Sequence, residues 1–303
     1  MPFTARPAFQ WRLRTRTLPL GPRILIMAIL NLTPDSFSDG GHHNTPEKAL
    51  AKALTLLDEG ADILDLGGES TRPNATPITP DEEQSRILPT IEAILKARPE
   101  TILSIDTFHA ETARAAIQAG AEIVNDVSGL TWDPAMAHTC ADLHCGTILM
   151  HARGTPQTWH TLPPLAPEAI LPLVLEGLQQ SVTAATTAGI PRDQLVLDPG
   201  FGFGKLGPEN FILLAHLDQL QTLQLPILAG ISRKGFLTKS LAPNPGAPGP
   251  DSRTWDPTQA TREITTVAAN TAAILAGAHI LRVHAPCPAR EAAHIADAIL
   301  ANL

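Results

Sequence analysis

Cysteine is scarce in this chain, and its few thiols do not form a disulfide pattern. The 303 residues include only three cysteines, Cys140, Cys145 and Cys287. An odd and sparse set of thiols is typical of a protein from a reducing cytoplasm, which is where we expect this one. His138 and His144 lie near the first two, but no second ligand pair follows at the spacing of a zinc site. We therefore expect buried thiols rather than a metal centre.

Long apolar runs are also missing. The longest, such as Ile24–Leu30, are far shorter than the roughly 20 apolar residues that span a bilayer. Several arginines precede Pro19 without an uninterrupted apolar segment, so we expect no secretory signal. The sequence therefore gives no reason to expect a membrane partner.

The chain has no excess of basic residues. It carries 22 Lys and Arg against 30 Asp and Glu, a formal net charge of −8. This balance disfavours nucleic acid and anionic membranes as partners. The net negative charge of the whole chain also argues against an anionic substrate, unless the basic residues are concentrated at one site. Hydrophobic residues make up 44% and charged residues only 17%, which excludes a highly charged disordered chain.

The sequence does contain a regular alternation of short apolar segments with amphipathic, alanine- and leucine-rich segments. The predicted strands are Ile24–Leu30, Asp62–Leu66, Ile102–Ile105, Glu122–Asn125, Thr147–His151, Leu195–Asp198, Ile227–Ile231 and His279–His284. The predicted helices are about Pro46–Glu59, Pro80–Ala97, Ala110–Ala119, Pro134–Ala141, Pro167–Ala188, Pro208–Leu217, Thr258–Ala276 and Pro288–Leu300. Eight strand–helix units predict an α/β fold, a closed (β/α)8 TIM barrel.

Two further segments complete the predicted organisation of the chain. A short strand pair, Phe9–Thr15 and Thr17–Leu18, is expected to form a β-hairpin that closes the bottom of the barrel. The Pro- and Gly-rich segment Leu241–Thr258 indicates a mobile loop and not a domain boundary, so we expect one domain over residues 1–303. An open doubly wound sheet is the alternative fold, but the first strand lacks a following G-x-G-x-x-G.

Polar side chains follow every predicted strand, at the rim where TIM barrels carry their chemistry. Asp106, Asn125 and Asp198 provide carboxylates and an amide. These groups suit a flat heterocycle with several N–H groups, such as an aminopyrimidinone. Asp198 precedes a proline and could instead only cap a turn.

Cations form a second set at the same rim. They are Arg72, Arg233, Lys234, Arg282 and His284. Arginine matches phosphate oxygens with two hydrogen bonds, so the set predicts a bound phosphate or diphosphate. Each cation could instead pair with a nearby acid such as Glu69, Asp126 or Asp35. The segment Pro199–Lys205 resembles a phosphate loop but fails the Walker pattern, because Leu206 replaces Ser or Thr.

Oxygen ligands in the first loop suit Mg²⁺. Asn31 and the acids that follow it offer oxygen-only ligation, which fits an ion that bridges to a diphosphate. The loops Thr33–Gly41 and Ser70–Pro73 could become ordered over a substrate. A plain turn at Thr33-Pro34-Asp35 is the simpler alternative.

Several segments together resemble the bacterial dihydropteroate synthase family. They are Leu30–Gly41 (LNLTPDSFSDGG), Gly67–Pro73 (GGESTRP), Ser104–Thr107 (SIDT), Asn125–Leu130 (NDVSGL), Leu149–His151 (LMH), Asp198–Lys205 (DPGFGFGK), Ile231–Lys234 (ISRK) and Arg282–His284 (RVH). The resemblance covers nearly the whole chain, in order. It implies a cytoplasmic, homodimeric transferase of folate synthesis. Such an enzyme joins 6-hydroxymethyl-7,8-dihydropterin diphosphate to p-aminobenzoate, with release of pyrophosphate.

The resemblance also implies residue roles. Asp106, Asn125, Asp198 and Lys234 would hold the pterin, with Met150 lining its pocket, and Asn31 would meet Mg²⁺. The diphosphate would be held by Thr71, Arg72, Arg282 and His284. Phe37 and Asp39 would belong to a loop that closes over the departing diphosphate. The p-aminobenzoate pocket, where sulfonamides compete, would be formed by Phe203, Ser232 and Lys234.

This chain departs from the family pattern at a few positions. Gly235 stands where the family usually has Ser near the p-aminobenzoate carboxylate, so affinity for that substrate or for sulfonamides is open. Ala285 replaces a common Asp, and Asn74 replaces a usual Gly. Two alternatives remain: a pterin-binding methyltransferase domain, which has no diphosphate to hold, and a pterin-binding relative without catalysis.

Overall fold

The chain folds as an N-terminal hairpin followed by alternating strands and helices. A computed structural model describes residues 3–33, 46–70, 75–241 and 257–303. The strands are β1 (Phe9–Arg12), β2 (Thr17–Leu20), β3 (Leu25–Asn31), β4 (Ile63–Gly67), β5 (Ile102–Asp106), β6 (Ile123–Asp126), β7 (Gly146–Met150), β8 (Leu195–Asp198), β9 (Leu228–Ala229) and β10 (Ile280–Val283). The helices are α1 (Pro46–Asp58), α2 (Pro80–Ala97), α3 (Ala110–Gln118), α4 (Met136–Leu143), α5 (Pro167–Thr187), α6 (Gly207–Ala215), α7 (Gly235–Lys239), α8 (Gln259–Leu275) and α9 (Pro286–Leu300).

Eight of the strands form one parallel sheet that curls into a barrel. Their order is β8-β7-β6-β5-β4-β3-β10-β9. Leu197 of β8 bridges to Ile227 beside β9, and its N–H donates to the carbonyl of Pro226 at 2.9 Å. The two ends of the sheet therefore meet. This confirms the predicted (β/α)8 barrel over the open sheet.

The hairpin of β1 and β2 covers the lower end of the barrel. Trp11, Leu13 and Leu20 are buried in one apolar cluster with side chains from seven barrel strands. Those side chains are Leu25, Met27, Ile63, Ile123, Ile148, Val196, Leu228 and Ile280. The indole N–H of Trp11 also donates to the carbonyl of Gln194 at 3.0 Å. The expected closure of the barrel bottom by the hairpin is confirmed. A ligand would therefore enter the barrel from the opposite end.

Several element boundaries differ from prediction by one to three residues. Two further differences concern the seventh barrel strand and the segment that follows it. The seventh barrel strand is only Leu228–Ala229 rather than Ile227–Ile231, because its pairing with β10 extends over just these two residues. The five-residue helix Gly235–Lys239 was not predicted. It is too short to show an amphipathic period. Within the residues that the structure describes, no helix is long and apolar enough to cross a membrane.

Candidate active site

Register brings the predicted strand-end residues together at the upper end of the barrel. Asp106 is the register partner of Asn125, and Met150 is that of Asp198. Because side chains alternate between the two faces of a strand, register partners project to the same side. Asp106, Asn125 and Asp198 therefore face the barrel interior near the upper ends of β5, β6 and β8, and the last two each lie two residues beyond an apolar side chain that packs with the hairpin. We call these three residues the polar layer.

Arg282 is the centre of this layer. Its Nε donates to Asp65 Oδ2 at 2.6 Å, and its Nη2 donates to Asp106 Oδ2 at 2.5 Å. Asn125 donates its Nδ2 to the same Asp65 oxygen at 3.0 Å. Two carboxylates thus orient one guanidinium, and such charge-assisted contacts are the strongest hydrogen bonds available to side chains.

Burial sets the protonation of the layer. Burial raises the pKa of Asp106 to about 7, with Arg282 and Lys234 opposing the shift and the negative charges of Asp65 and Glu83 adding to it. Burial also lowers the pKa of Lys234 to about 8, with a contribution from Arg282. The site therefore holds an acid and a base that titrate near neutral pH, as functional groups commonly do.

Asp198 caps a turn with one carboxylate oxygen and directs the other into the barrel mouth. Its Oδ1 accepts from the Gly200 N–H at 2.7 Å, so it does cap the following turn. Its Oδ2 faces Gly230, where an added Cβ would lie only 3.3 Å away. Burial raises the pKa of this carboxyl group. One oxygen is structural and the other faces the site.

An apolar and aromatic wall adjoins the polar layer. Met150, Phe203, Val127 and Trp159 form a buried cluster, and the Trp159 ring meets the Phe203 ring edge-on at 5.2 Å. The ammonium of Lys234 lies 3.9 Å from the centroid of the Phe203 ring. This cation–π contact fixes Lys234 between the wall and the carboxylates. A flat aromatic ligand would find both an apolar face and polar partners here.

Of the predicted cations, His284 lies at the barrel mouth, whereas Arg233 pairs with an outer helix. His284 Nδ1 lies 3.0 Å from Ser232 Oγ, so both residues occupy one corner of the barrel mouth. Arg233 instead pairs with Glu263 of α8 at 2.5 Å. Its backbone is left-handed, with φ of 56°, and its side chain is directed to the helix. This corrects the prediction that Arg233 joins the cations of the rim.

Some predicted residues lie outside the described part of the chain. They are Phe37, Asp39, Thr71, Arg72 and Asn74. Asn31 is described: its Oδ1 lies 3.7 Å from the position that a Cβ on Gly67 would occupy, and Asp106 Oδ2 lies at the same distance. A side chain at position 67 would therefore be in van der Waals contact with both oxygens.

Sequence reasoning missed two buried charged residues near the site. Asp65 lies inside β4, where only its charge within an apolar strand distinguishes it. Lys205 was seen only as the end of a glycine-rich segment. Its Nζ donates to the carbonyls of His151, Gly200 and Phe203 at 2.8 to 3.3 Å, and burial lowers its pKa to about 7. It thereby ties the end of β7 to the loop that carries Phe203.

The thiols are placed as expected. Cys140 and Cys145 are free and buried. Among the described residues no group of three or more His, Cys, Asp or Glu side chains is arranged to hold a metal ion.

The fold and the site together define a TIM-barrel enzyme whose mouth is built for a flat, nitrogen-rich ligand. A profile of the family described as "Pterin binding enzyme" matches residues 27–284. The dihydropteroate synthase of Synechocystis sp. is 40% identical over 279 residues, which cover 92% of this chain and 91% of that protein.

Solved structures agree with this match. The Xanthomonas albilineans dihydropteroate synthase with 4-aminobenzoic acid superposes with a TM-score of 0.85 at 39% identity, covering 97% of this chain and 99% of that one. The Yersinia pestis enzyme with a sulfonamide drug gives a TM-score of 0.84 at 36% identity, covering 97% and 100%. The chain belongs to the pterin-binding enzymes, within the dihydropteroate synthase family, and is a transferase.

Proposed function

We propose that this protein joins 6-hydroxymethyl-7,8-dihydropterin diphosphate to p-aminobenzoate, giving 7,8-dihydropteroate and pyrophosphate. The observation that carries the proposal is the polar layer of Asp106, Asn125 and Asp198 beside the buried Met150–Phe203 wall. Pterin N–H groups need acceptors, and this layer offers two carboxylates and an amide. The wall offers an apolar surface for the flat face of the ring.

The layer also supports the chemistry. In the proposed step, the C–O bond between the pterin CH₂ group and the diphosphate breaks, and its electron pair leaves with the diphosphate. The amine nitrogen of p-aminobenzoate then forms the new C–N bond and loses a proton. The electron-rich dihydropterin stabilises the cationic carbon, and the negative charges of Asp106 and Asp198 favour it. The protein contributes mainly positioning and electrostatics.

Arg282 and His284 are the described cations proposed to hold the diphosphate, together with Thr71 and Arg72. Growing negative charge on the leaving group is stabilised by such preorganised cations. Arg282 stays cationic, because Asp65 and Asp106 raise its pKa although burial opposes them. It is therefore a permanent charge at any working pH.

The residues fit a magnesium ion at Asn31. The single amide oxygen of Asn31, which lies beside Gly67, suits a metal that takes few protein ligands and keeps water and phosphate oxygens. When bound, Mg²⁺ would neutralise part of the diphosphate charge. Asn31 would hold the ion.

The p-aminobenzoate pocket is proposed to lie around Phe203, Ser232 and Lys234, where sulfonamides would compete. Gly235 begins α7 at the edge of this pocket, and a Cβ added there meets nothing within 4 Å. The pocket is thus open at the position where the family usually has a serine hydroxyl. We expect weaker binding of the p-aminobenzoate carboxylate than a serine would allow.

We also propose a cytoplasmic homodimer that forms through α8 and α9. These helices pack against each other, and both expose isoleucines: Ile264 is 69% exposed and Ile295 is 65% exposed. Ile299 adds a third exposed apolar side chain on α9. Exposed apolar side chains on neighbouring helices favour a second copy of the chain as partner. The free, buried thiols support the reducing compartment.

The proposed reaction is tested by incubating the purified protein with pterin diphosphate, Mg²⁺ and p-aminobenzoate. Pyrophosphate and dihydropteroate should appear in equal amounts, and a sulfonamide should compete with p-aminobenzoate. Omitting p-aminobenzoate should stop both products. Binding of the pterin without any pteroate would support the non-catalytic alternative, and methyl transfer from methyltetrahydrofolate without pyrophosphate would support the methyltransferase alternative.

A further inference from the structure

We propose that Asp65 is a positioning residue, which fixes Arg282 and Asn125 in the orientations that recognise the pterin substrate without touching that substrate itself. The inference rests on the proposed function, because it takes Arg282 and Asn125 to be substrate contacts. Asp65 lies in the middle of β4, one layer below the rim, and its side chain is completely buried.

A single carboxylate oxygen of Asp65 accepts hydrogen bonds from both Arg282 and Asn125. Oδ2 accepts from Arg282 Nε at 2.6 Å and from Asn125 Nδ2 at 3.0 Å. It therefore links side chains of β10 and β6, which lie on either side of β4 in the barrel. Arg282 is held a second time by Asp106, so its guanidinium plane is defined by two carboxylates rather than one.

The carboxylate at position 65 also decides which way the Asn125 amide faces. An ionised carboxylate only accepts hydrogen bonds, so the NH₂ group of Asn125 must face Asp65. The carbonyl oxygen of Asn125 is then left as the acceptor for a ligand. Together with Asp106 and Asp198 in their ionised forms it provides acceptors, as N–H groups on a pterin require. A neutral asparagine at position 65 removes this constraint, because it can accept or donate.

Asp65 also contributes to the charge balance at Asp106. Four charged groups act on that carboxyl: Arg282 and Lys234 lower its pKa, whereas Asp65 and Glu83 raise it, in addition to the larger effect of burial. Neutralising Asp65 removes one repulsive charge and leaves Arg282 with Asp106 as its remaining carboxylate. The pKa of Asp106 should therefore fall below about 7.

A matched control is available on the neighbouring strand. Ser104 of β5 is the register partner of Asp65 and is also completely buried. Among the residues that the structure describes, its hydroxyl has no hydrogen-bond partner. Ser104→Ala therefore removes a buried oxygen at the same level of the barrel without disturbing the Asp65–Arg282 pair.

The test compares Asp65→Asn and Ser104→Ala with the wild-type protein in steady-state turnover and in calorimetric binding of pteroic acid. For Asp65→Asn we expect KM for pterin diphosphate to rise about tenfold or more, with a similar loss of pteroic acid affinity, because a charge-assisted contact is lost. KM for p-aminobenzoate should stay within about twofold, because its proposed pocket lies elsewhere. The pH below which kcat/KM falls, which we call the acid limb of the profile, should move to lower values, because the pKa of Asp106 is expected to fall. Ser104→Ala should change none of these quantities.

Other outcomes overturn the proposal. An equal rise of both KM values, or an unmoved acid limb, would indicate a general structural role. If Asp65→Asn does not fold, the smaller Asp65→Ser replaces it, and failure of both to fold would assign Asp65 to barrel stability instead. Wild-type protein that binds pteroic acid but makes no dihydropteroate would refute the proposed function, while the binding comparison would still judge Asp65.

Discussion

Replacing Asp106 with asparagine should stabilise the fold above neutral pH while removing most of the activity. Burial is the largest of the effects that raise the pKa of this carboxyl group from 3.8 to about 7. A carboxyl group whose pKa is higher in the folded protein binds its proton more tightly there. Ionising Asp106 in the folded state is therefore unfavourable, and the site maintains that charge at the expense of stability.

The magnitude follows from the size of the shift. A difference of about 3 pKa units is worth roughly 4 kcal/mol at about 1.4 kcal/mol per unit. Below pH 3.8 both states are protonated and the effect vanishes. Between pH 3.8 and about 7 only the unfolded chain ionises, so stability falls as the pH rises. The asparagine variant should therefore be roughly 4 kcal/mol more stable than wild type at a pH of about 8.5, with a smaller gain near pH 5.

Urea unfolding at both pH values measures this gain. Asp62→Asn at the lower end of the barrel is the control. Burial alone would raise the pKa of Asp62, but bonds from Arg23, the Ile26 N–H and Arg290 bring it below the usual range. That variant should lose stability equally at both pH values. Asp106→Asn should also lower kcat/KM by about ten- to a hundredfold through loss of a charged acceptor. A variant less stable than wild type at the alkaline pH would refute the reasoning.

Four further outcomes are expected. Arg282→Ala should lower the rate of pyrophosphate release by about a hundredfold or more. Arg290 is ion-paired at the other end of the barrel, so the control variant Arg290→Ala should retain near-normal turnover. The kcat/KM of the wild-type protein should fall above a pH of about 8 as Lys234 loses its proton, and a flat alkaline profile would exclude that role. Gly235→Ser should leave the melting temperature unchanged and lower KM for p-aminobenzoate; an unchanged KM would contradict the pocket assignment. Ile295→Glu should give a monomer in sedimentation velocity, and a dimer of that variant would place the interface elsewhere.

The grouping of the candidate site residues was largely predictable because these residues end strands. A barrel collects the carboxyl ends of its strands at one rim, so Asp106, Asn125 and Asp198 could be grouped from their positions in the sequence alone. The segment Phe9–Leu20 could likewise be assigned to the closed end from its position before the first strand. Amphipathic helices such as α8 were predicted to within one residue, because their period is long enough to recognise.

The ion-pair partners of the site arginines were not predictable from their positions in the sequence. Arg233 and Arg282 both follow or lie in apolar strands, yet one pairs with Glu263 on an outer helix and the other with Asp65 inside the barrel. Arg233 also has a left-handed backbone, with φ of 56°, which its own sequence does not indicate. Asp65 itself was overlooked because nothing in its local sequence shows what faces it.

The order of strands, helices and polar strand ends therefore determined the fold class and the rim that carries the site. Tertiary structure alone decided which carboxylates share Arg282, how far the pKa of Asp106 rises and which end of the Asn125 amide is left for a ligand. These properties depend on contacts between residues far apart in the chain, such as Asp65 and Arg282, and on the loss of water around them. Local sequence contains neither.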